Sequence, residues 1–336
     1  MALSGARPRR RVLVLRALGL GDLLTAVPAM RAVRAAYAGD EVVLATPASL
    51  TPLVELAGVA DRVLDVRGVR SLPHAVAWEG PPPELAVNLH GRGPQSHRLL
   101  LATGARELLG FRCPGVGPTG SRPAPAWREE EHEVRRWCRL LAEGAGLAAD
   151  PTDLRLPPPG VESPAPGAVV VHPGAAYPSR RWPPERFGDV ARDLAERGLP
   201  VVVTGGPDEV HLAEGVRRRA GLPPESVLAG RTGLAELAAL VAGARLLVCG
   251  DTGVAHLATA YATPSVLLFG PTPASRWGPV TDGPHVVLHR SSTTQGGSWS
   301  GDPWGQQVDP ALLRITVEDV LAAAVSPALR TTPGSA

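Results

Sequence analysis

The sequence predicts an α/β protein that contains two doubly wound parallel sheets. Three observations predict this fold: short apolar runs alternate with helix-like segments, a proline-rich stretch interrupts the alternation near the middle of the chain, and the alternation then starts again. Alternating strand and helix units assemble into parallel sheets with helices on both faces. A chain of 336 residues with 44% apolar content can build two domains with separate cores.

The composition narrows the classes of protein to consider. The formal net charge of +2 argues against a nucleic-acid-binding protein, which needs a concentrated basic face. No apolar run is long enough to span a bilayer, and Arg16 interrupts the run at 12–15 too early for a signal peptide. The three cysteines, Cys113, Cys138 and Cys249, are too far apart for a disulfide framework or a zinc ligand set. We therefore expect a cytoplasmic protein.

The N-terminal half alternates between apolar runs typical of buried strands and segments with the residue spacing of amphipathic helices. Apolar runs predict strands at 12–15, 42–45, 62–66, 85–89 and 108–111. Helical spacing predicts a helix whose apolar face runs from Leu23 to Tyr37, and further helices at 48–57 and 94–103. An amphipathic helix at 129–144, with acidic residues in its first turn, ends this half.

The proline-rich segment 150–167 lacks periodicity, which is typical of a linker between domains. Beyond it, strands are predicted at 169–172, 201–204, 246–249, 265–269 and 285–288, and helices at 183–197, 208–219, 234–242 and 251–261. The polar, glycine-rich segment 291–307 predicts a long loop, and such loops are commonly functional.

These boundaries predict two domains, at 1–155 and 167–315, that face each other across a cleft. A last helix, capped by Thr316 and acidic in its first turn, is expected within 316–328. Packing of this closing helix back on the N-terminal domain is one arrangement that we consider.

The clearest signal of a site lies at 245–257, RLLVCGDTGVAHL. A buried strand ends at Gly250, and a helix begins at once with Asp251, Thr252 and Gly253. The free N–H groups and the dipole at a helix N-terminus favour an anion, most often a phosphate. Asp251 and Thr252 are also common helix-capping residues, so capping explains the motif equally well.

The first strand–helix loop, 16–22 (RALGLGD), lies at the carboxyl ends of the predicted strands, where α/β sheets bind ligands. The spacing after Gly21 does not match a dinucleotide fingerprint, and the second strand ends at 44–46 (LAT) without an acidic residue for a ribose hydroxyl. These features argue against a nicotinamide cofactor. Asp22 is left either as a helix cap or as a general base at the mouth of the site.

Two loops of the second domain add charged candidates. In 173–183 (PGAAYPSRRWP), Arg180 and Arg181 precede a helix start, where a cation weakens the helix through its dipole. Guanidinium groups bind diphosphates bidentately, so an anion clamp explains them better. In 204–209 (TGGPDE), Asp208 and Glu209 suit a ribose or a base, and a first-turn position in a helix explains them equally well.

Two histidines complete the candidates. His256 lies one turn inside the helix that opens at Asp251, and a structural role is favoured over a metal ligand because no partner ligands stand nearby. His90 follows the strand at 85–89 and is a candidate on the acceptor side.

The motifs GLGD, PGA…RRWP, TGGPDE, CGDTGVAHLA and FGPT, in this order, closely resemble glycosyltransferase family nine. The best-known members of that family are the ADP-heptose:lipopolysaccharide heptosyltransferases. The resemblance covers nearly the whole chain and is most specific in DTGVAHL and GLGD. It implies the GT-B fold, in which two Rossmann-like domains face each other. It also implies an inverting, metal-independent transfer of a sugar, heptose above all, from a nucleotide-diphosphate donor such as ADP-heptose to an acceptor hydroxyl.

The resemblance assigns roles to individual residues. It implies that Asp22 is the catalytic base. Gly21 and His90 are candidates on the acceptor side that come from our interpretation of the residues and not from the resemblance. It implies that Arg180 binds the donor phosphate, that Glu209 holds the ribose, and that Asp251, Thr252, Gly253 and His256 line the diphosphate and the sugar. Two features depart from the family pattern. The position of Arg180 is commonly lysine there, and the 291–307 loop lacks the cysteines of many relatives.

The implied substrates are a nucleotide sugar, ADP-linked above all, and a glycan, glycolipid or small-molecule acceptor in lipopolysaccharide or cell-envelope glycan biosynthesis. We expect that the protein uses no cofactor and no metal and binds no nucleic acid. We also expect a monomer, and peripheral contact of this monomer with the inner membrane face is an alternative that we keep. Two other functions also stay open. A nucleotide-sugar epimerase of similar fold would convert the donor without an acceptor, and a non-catalytic nucleotide-sugar-binding protein would not need Asp22.

Overall fold

The computed structural model describes residues 9–66, 76–116, 120–290 and 301–326. The chain divides into two compact units, Met1–Asp153 and Leu154–Ala336, and each unit has its own parallel sheet. The division falls inside the proline-rich segment at 150–167. The finer domain limits inferred from the sequence stay a prediction.

The first unit alternates strands and helices. Its strands are β1 (Arg11–Leu15), β2 (Glu41–Thr46), β3 (Arg62–Asp65), β4 (Leu85–Asn88) and β5 (Glu107–Leu109). Its helices are α1 (Leu20–Thr25), α2 (Val27–Ala36), α3 (Thr51–Ala57), α4 (Gln95–Leu101) and α5 (Glu133–Ala145), and Ala48–Leu50 forms a 3₁₀ turn.

The strand order of the first sheet is β3-β2-β1-β4-β5, with every pairing parallel. Strand β1 lies at the centre and is buried from Val12 to Leu15, because helices cover both faces of a parallel sheet. The chain builds outward from β1 through β2 to β3 and then crosses to β4. The switch point of the sheet therefore lies between β1 and β4, and ligands of α/β sheets bind at the carboxyl ends of such strands.

Two helices of this unit differ from their predicted limits. The helix predicted to run to Tyr37 is divided at Ala26, whose backbone (φ −98°, ψ −3°) ends α1 and begins α2. Pro28 lies in the first turn of α2, where its missing N–H group leaves no helical hydrogen bond unmade. The helix predicted from residue 129 begins at Glu133, because His132 caps it by accepting a hydrogen bond from the Val134 N–H at 3.2 Å.

The second unit repeats the alternation. Its strands are β6 (Val169–His172), β7 (Val201–Val203), β8 (Leu246–Gly250), β9 (Ser265–Phe269) and β10 (His285–His289). Its helices are α6 (Pro184–Glu196), α7 (Val210–Ala220), α8 (Leu234–Ala242), α9 (Gly253–Tyr261), α10 (Ala274–Trp277), α11 (Pro310–Leu313) and α12 (Val317–Ala324). Three 3₁₀ turns lie at Pro178–Arg180, Pro207–Glu209 and Pro224–Ser226.

The strand order of the second sheet is β10-β9-β8-β6-β7, again fully parallel. The chain goes from β6 to β7 on one side and then builds β8, β9 and β10 on the other. The switch point therefore lies between β6 and β8. The loop after β6 contains Arg180, and the turn after β8 contains Asp251, so two of the predicted donor-binding loops begin at this point.

The closing helix α12 belongs to the second unit. Its side chains Val320 and Ala323 are buried in the same core as Val169 and Val248 of the second sheet. Packing of the closing helix on the N-terminal domain stays a prediction, and these side chains lie in the core of the second unit. The physical reason is that α12 offers its apolar face to α6 and to strand β9.

Within the described residues, no helix is both long and apolar enough to cross a membrane. The first ten residues of the predicted 291–307 loop lie outside the described part of the chain. Its remainder, 301–307, contains no helix or strand, as the sequence predicts.

Candidate active site

The turn between β8 and α9 forms a cradle of backbone N–H groups. Thr252 is the N-cap residue of α9, with an extended backbone (φ −151°, ψ 167°), and its side chain makes no capping hydrogen bond. No acidic side chain lies in the first turn of the helix either. Side-chain capping, one of the two explanations left open by the sequence, is thus absent at Thr252. The N–H groups that begin at Gly253 are left for another acceptor.

Arg180 lies next to this cradle. Its Nη1 is 3.4 Å from Oδ2 of Asp251, which is only 5% exposed. The Nε atom of Arg180 is buried and makes no hydrogen bond with the described residues. A guanidinium with an unused donor beside an uncapped helix terminus suits an oxyanion. The structure thus brings together two residues that are 71 positions apart and that the sequence assigned to the same site.

The loop that carries Arg180 is fixed by its neighbours. Trp182 is 1% exposed, packs edge-on against Phe187 at 5.0 Å, and donates a hydrogen bond from Nε1 to the Ile315 carbonyl at 3.1 Å. Arg181 donates from Nε to the Ala175 carbonyl at 2.9 Å, closing its own loop. Of the two arginines predicted to clamp an anion, only Arg180 therefore lies against Asp251.

Glu209 lies against two of the site loops. Its Oε2 accepts a hydrogen bond from the Gly206 N–H at 2.8 Å, so it caps its own 3₁₀ turn. A Cβ atom at Gly174, in the loop after β6, would overlap the Glu209 carboxylate, so only glycine permits this approach. The neighbouring Asp208 is exposed. The capping role predicted as an alternative is present, and the ribose-binding role of Glu209 stays a prediction.

His172 is a buried neighbour of Glu209 that the sequence analysis did not single out. It ends β6, and its Nδ1 is 3.0 Å from the Thr204 hydroxyl. Burial lowers the pKa of His172, and the charge of Glu209 opposes that effect. The sequence feature that could have identified His172 is its position at the end of a buried strand, directly before the PGA motif.

His256 lies within α9, one turn after the cradle. Its ring is 6.3 Å from the ring of Trp277 at an angle of 65°. The aromatic contact fits the structural role that the sequence favoured. Binding of the donor by His256 stays a prediction.

Asp22 lies at the switch point of the first sheet, in the first turn of α1. Its Oδ2 accepts a hydrogen bond from the Gly19 N–H at 3.3 Å, and its side chain is 29% exposed. The capping role considered from the sequence is therefore present. Capping one N–H group leaves a carboxylate with further lone pairs, so it does not exclude acid–base chemistry. Gly21 precedes Asp22 in the same turn and is partly exposed.

Arg16 is a site residue that sequence reasoning missed. The side chain is fully buried, donates from Nε to the Asp22 carbonyl at 2.8 Å, and has Nη2 at 3.5 Å from Oδ1 of Asp22. The sequence feature that could have identified Arg16 is its position as a charged residue directly after a buried central strand.

His90 follows β4 on the other side of the switch point. Its backbone N–H donates to Oδ1 of Asn88 at 3.0 Å, and its buried Nδ1 makes no hydrogen bond within the described part of the chain. Burial and, to a smaller extent, the positive charge of Arg16 lower the pKa of His90 to about 4. His90 is therefore neutral near pH 7 and a weak base.

A cavity of about 830 Å³ opens at the same edge of the first sheet. It is formed by the segments that follow β4 and β5 and by the segment before α5, and its lining includes Arg92, Arg112, Cys113, Trp127 and Glu129. A second cavity, of about 700 Å³, lies at the amino ends of β6 and β8. That edge is opposite to the one where parallel sheets bind ligands.

The residues described here hold no group of three or more His, Cys, Asp and Glu side chains that could bind a metal ion. All three cysteines are buried. Burial raises the pKa of Cys138 to about 12 and also raises the pKa of Cys249, so both thiols stay protonated near neutral pH.

Solved structures of GT-B glycosyltransferases share this architecture. ADP-heptose LPS heptosyltransferase II from E. coli matches with a TM-score of 0.71 and 21% identity, over 93% of this chain and 97% of its own. The glycosyl transferase family 9 protein from Veillonella parvula DSM 2008 matches with a TM-score of 0.67 and 20% identity, over 83% of this chain and 85% of its own. The iron-containing dodecameric glycosyltransferase TibC from enterotoxigenic E. coli H10407 matches with a TM-score of 0.57 and 15% identity, over 94% of this chain and 75% of its own. At these identities the likeness bears on the fold alone, and it confirms the predicted GT-B class.

The chain belongs to glycosyltransferase family 9 (heptosyltransferase), whose family model matches residues 112–296. The protein is therefore a heptosyltransferase-like glycosyltransferase, as the sequence motifs predicted. No curated protein sequence matches the chain. The matched region contains every donor-side candidate and excludes Asp22, so the assignment of Asp22 depends on its own geometry.

Proposed function

We propose that this protein transfers a heptose from ADP-heptose to the hydroxyl group of a glycan, glycolipid or small-molecule acceptor, with inversion at the anomeric carbon. The single observation that carries the proposal is the pairing of Arg180 with the uncapped N-terminus of α9 in a chain of this family. The choice of donor is supported by the E. coli structural relative, which is named for ADP-heptose.

The donor side supplies charge stabilisation. As the glycosidic bond breaks, the departing nucleotide diphosphate gains negative charge. Arg180 and the N–H groups that begin at Gly253 stabilise that charge, because they are already oriented before the reaction. Asp251 carries no donor in its ionised form, so its oxygens accept hydrogen bonds from sugar hydroxyls, and Glu209 accepts them from the ribose.

The acceptor side supplies the base. Asp22 takes the proton from the acceptor hydroxyl as this oxygen attacks the anomeric carbon in a single displacement, which inverts the configuration. His90 is neutral near pH 7 and orients the acceptor through its ring nitrogens. The cavity lined by Arg92, Arg112 and Trp127 accommodates the rest of the acceptor.

The proposal includes a metal-independent reaction by a cytoplasmic monomer. Its support is that Arg180 and the α9 terminus already provide positive charge where a divalent cation would otherwise act. The relative TibC is described as iron-containing and dodecameric, so both points need direct tests. Full turnover after exhaustive treatment with a chelator, and elution at the mass of one chain, are the expected results.

The variant Asp22→Asn tests the proposal. Loss of a positioned base lowers turnover by about 10²–10⁴-fold, while ADP affinity stays within about twofold because Asp22 does not touch the nucleotide. Asparagine retains the size and capping ability of aspartate, so the melting temperature hardly changes. The measurements are transfer from ADP-heptose to a cell-extract acceptor and a calorimetric titration with ADP.

A matched control is Asp61→Asn, which alters a carboxylate of the same unit near the amino end of β3. It should leave turnover unchanged. Full activity of Asp22→Asn would remove Asp22 as the base and make His90 the next residue to test. Conversion of the donor without any acceptor would instead indicate an epimerase, and binding without turnover would indicate a binding protein.

A further inference from the structure

Arg16 carries a full positive charge in a place where no solvent reaches it. The side chain is 0% exposed and follows β1, the central strand of the first sheet. Removal of a guanidinium from water costs several kcal/mol unless hydrogen bonds and an opposite charge compensate it. A hydrophobic residue would fill the same space without that cost. The position of the charge therefore calls for an explanation beyond packing.

The partners of Arg16 come from both sides of the switch point. On the α1 side, Nε donates to the Asp22 carbonyl at 2.8 Å and Nη2 donates to the Thr25 hydroxyl at 3.1 Å. On the β4 side, Nη1 donates to the carbonyl of Leu89 at 2.5 Å. The residue after Leu89 is His90. One planar group thus ties the turn of Asp22 to the loop of His90.

A second layer holds the guanidinium itself in place. Oε1 of Glu133, from the first turn of α5, accepts from Nη2 of Arg16 at 3.2 Å and from Nε1 of Trp137 at 3.0 Å. The Trp137 ring lies 4.8 Å from Cζ of Arg16, which is a cation–π distance. Fixed on its face and along its edge, the guanidinium has one available orientation.

We propose that Arg16 is the positioning residue of the catalytic base: it fixes the backbone and carboxylate of Asp22 at a set distance from the loop that carries His90. The inference rests on the proposed role of Asp22. The carboxylate is held at Oδ2 by the Gly19 N–H and faces the guanidinium at Oδ1, 3.5 Å away. Burial and, to a smaller extent, the same positive charge lower the pKa of His90 to about 4, so His90 is a weak base.

Lysine cannot reproduce this arrangement. Its ammonium is a point charge with three donors, whereas the guanidinium presents five donors in a rigid plane and here uses them on partners in different directions. Arg16→Lys retains the charge opposite Glu133 and loses at least one of the two backbone links. Arg16→Gln loses the charge as well.

Arg136 provides a matched control for the structural part of the role. It is 2% exposed, it also pairs with Glu133, and it donates hydrogen bonds to the carbonyls of Arg128, Glu129 and Glu131 before α5. It contacts Oε2 of Glu133, whereas Arg16 contacts Oε1. Its substitution by glutamine therefore removes a buried guanidinium of equal size and leaves the contacts of Arg16 with Asp22 and Leu89 in place.

The experiment compares Arg16→Lys, Arg16→Gln and Arg136→Gln for melting temperature, kcat and KM for ADP-heptose. Displacement of a catalytic group by about 1 Å costs on the order of 10²-fold in rate. We expect kcat of both Arg16 variants to fall by roughly 10–100-fold with donor KM within about twofold. We expect Arg136→Gln to lose at least as much melting temperature while kcat stays within about threefold.

Chemical rescue adds a measurement that a merely structural role would not change. In Arg16→Ala, added guanidinium or ethylguanidinium should restore turnover by tenfold or more, whereas ammonium should not. The proposal is overturned if, at a similar loss of melting temperature, kcat of the Arg16 variants falls no more than kcat of Arg136→Gln. It is also overturned if guanidinium does not restore turnover. It is overturned equally if both Arg16 variants fail to fold while Arg136→Gln folds. Asp22→Asn in the same assay separates the outcomes, because full activity there contradicts the base itself rather than its positioning.

Discussion

Arg180 and Asp251 bring opposite charges into one small site, and their pairing determines what each can bind. Their atoms are 3.4 Å apart, which is longer than the 2.7–2.9 Å of a strong charged hydrogen bond. The guanidinium is therefore only partly engaged and can take a phosphate oxygen. The positive charge of Arg180 offsets part of the negative charge of the Asp251 carboxylate, which favours binding of an anion next to this acidic residue.

Arg180→Ala should weaken ADP binding by roughly 1.5–3 kcal/mol, because it removes a charge-assisted contact and leaves the Asp251 carboxylate uncompensated. Titration calorimetry with ADP measures the change. Arg245→Ala is the control, since Arg245 is an exposed arginine next to the amino end of β8. Equal affinities in the two variants would mean that the diphosphate binds elsewhere.

Asp251→Asn should separate the nucleotide from the sugar. The substitution removes a negative charge next to the diphosphate, so affinity for ADP should hold or rise. Transfer from ADP-heptose should fall in kcat/KM by about 10-fold or more, because an amide offers the sugar hydroxyls fewer acceptor lone pairs. The two readouts are calorimetry with ADP and initial rates with the donor. A parallel loss of both would place Asp251 on the phosphate or in the fold of the turn.

The sequence predicted the residues that stand in motifs and missed those that act through distant partners. Arg180, Asp251 and Asp22 follow strand ends in recognisable loops, so their positions could be inferred before the fold was known. Glu133 lies 117 residues from Arg16, and nothing in the local pattern of either residue indicates that they meet. Such buried pairs follow from the packing of α5 on the sheet, which depends on the whole unit.

At the scale of elements, both sheets place their candidate residues at a switch point. The apolar runs predicted the ten strands to within about two residues, because buried parallel strands are continuously apolar. The sequence analysis did not predict α10, α11 or the 3₁₀ turns. These elements have three or four residues, so they are too short for a periodic pattern to develop. They nonetheless matter, since the turn Pro178–Arg180 carries the donor-side arginine.

Gly174→Ala tests whether the loops around Glu209 form the nucleoside end of the site. An added Cβ would overlap the Glu209 carboxylate and displace it. We expect ADP affinity to fall by about tenfold, with pyrophosphate affinity unchanged, because pyrophosphate lacks the ribose that Glu209 would hold. Competition titrations with both ligands give the comparison. Gly215→Ala, with open space around its Cβ position on α7, is the control. A matching loss for pyrophosphate would assign the loop to the phosphates.

At the scale of the whole molecule, both units bury histidines in the neutral form. Burial lowers the pKa of His90 to about 4 and also lowers the pKa of His97 in the first unit. It lowers the pKa of His285 to about 4, and it lowers that of His172, in the second. Three of these rings have a hydrogen-bond partner: Nε2 of His97, for example, lies 2.9 Å from the Phe111 carbonyl. A proton on any of them is disfavoured only while the unit is folded.

These histidines should make the protein unstable in weak acid. A histidine whose folded pKa is about 4 and whose unfolded pKa is about 6.5 binds fewer protons when folded, so the unfolded state gains as pH falls between those values. The stability that His90 and His285 provide is thus complete above about pH 6.5 and lost by about pH 4, at up to roughly 3 kcal/mol each. The carboxylates with lowered pKa, such as Asp189, lose their contribution only below about pH 4 and so act outside this window. In urea unfolding at pH 7.0, 5.5 and 4.5, the midpoint concentration of urea should fall as the pH falls. His285→Gln should make this dependence on pH weaker. His211→Gln, which alters an exposed histidine on α7, should leave it unchanged. A midpoint that does not change between pH 6.5 and 4.5 would mean that these rings take up protons in the folded protein as readily as in the unfolded chain.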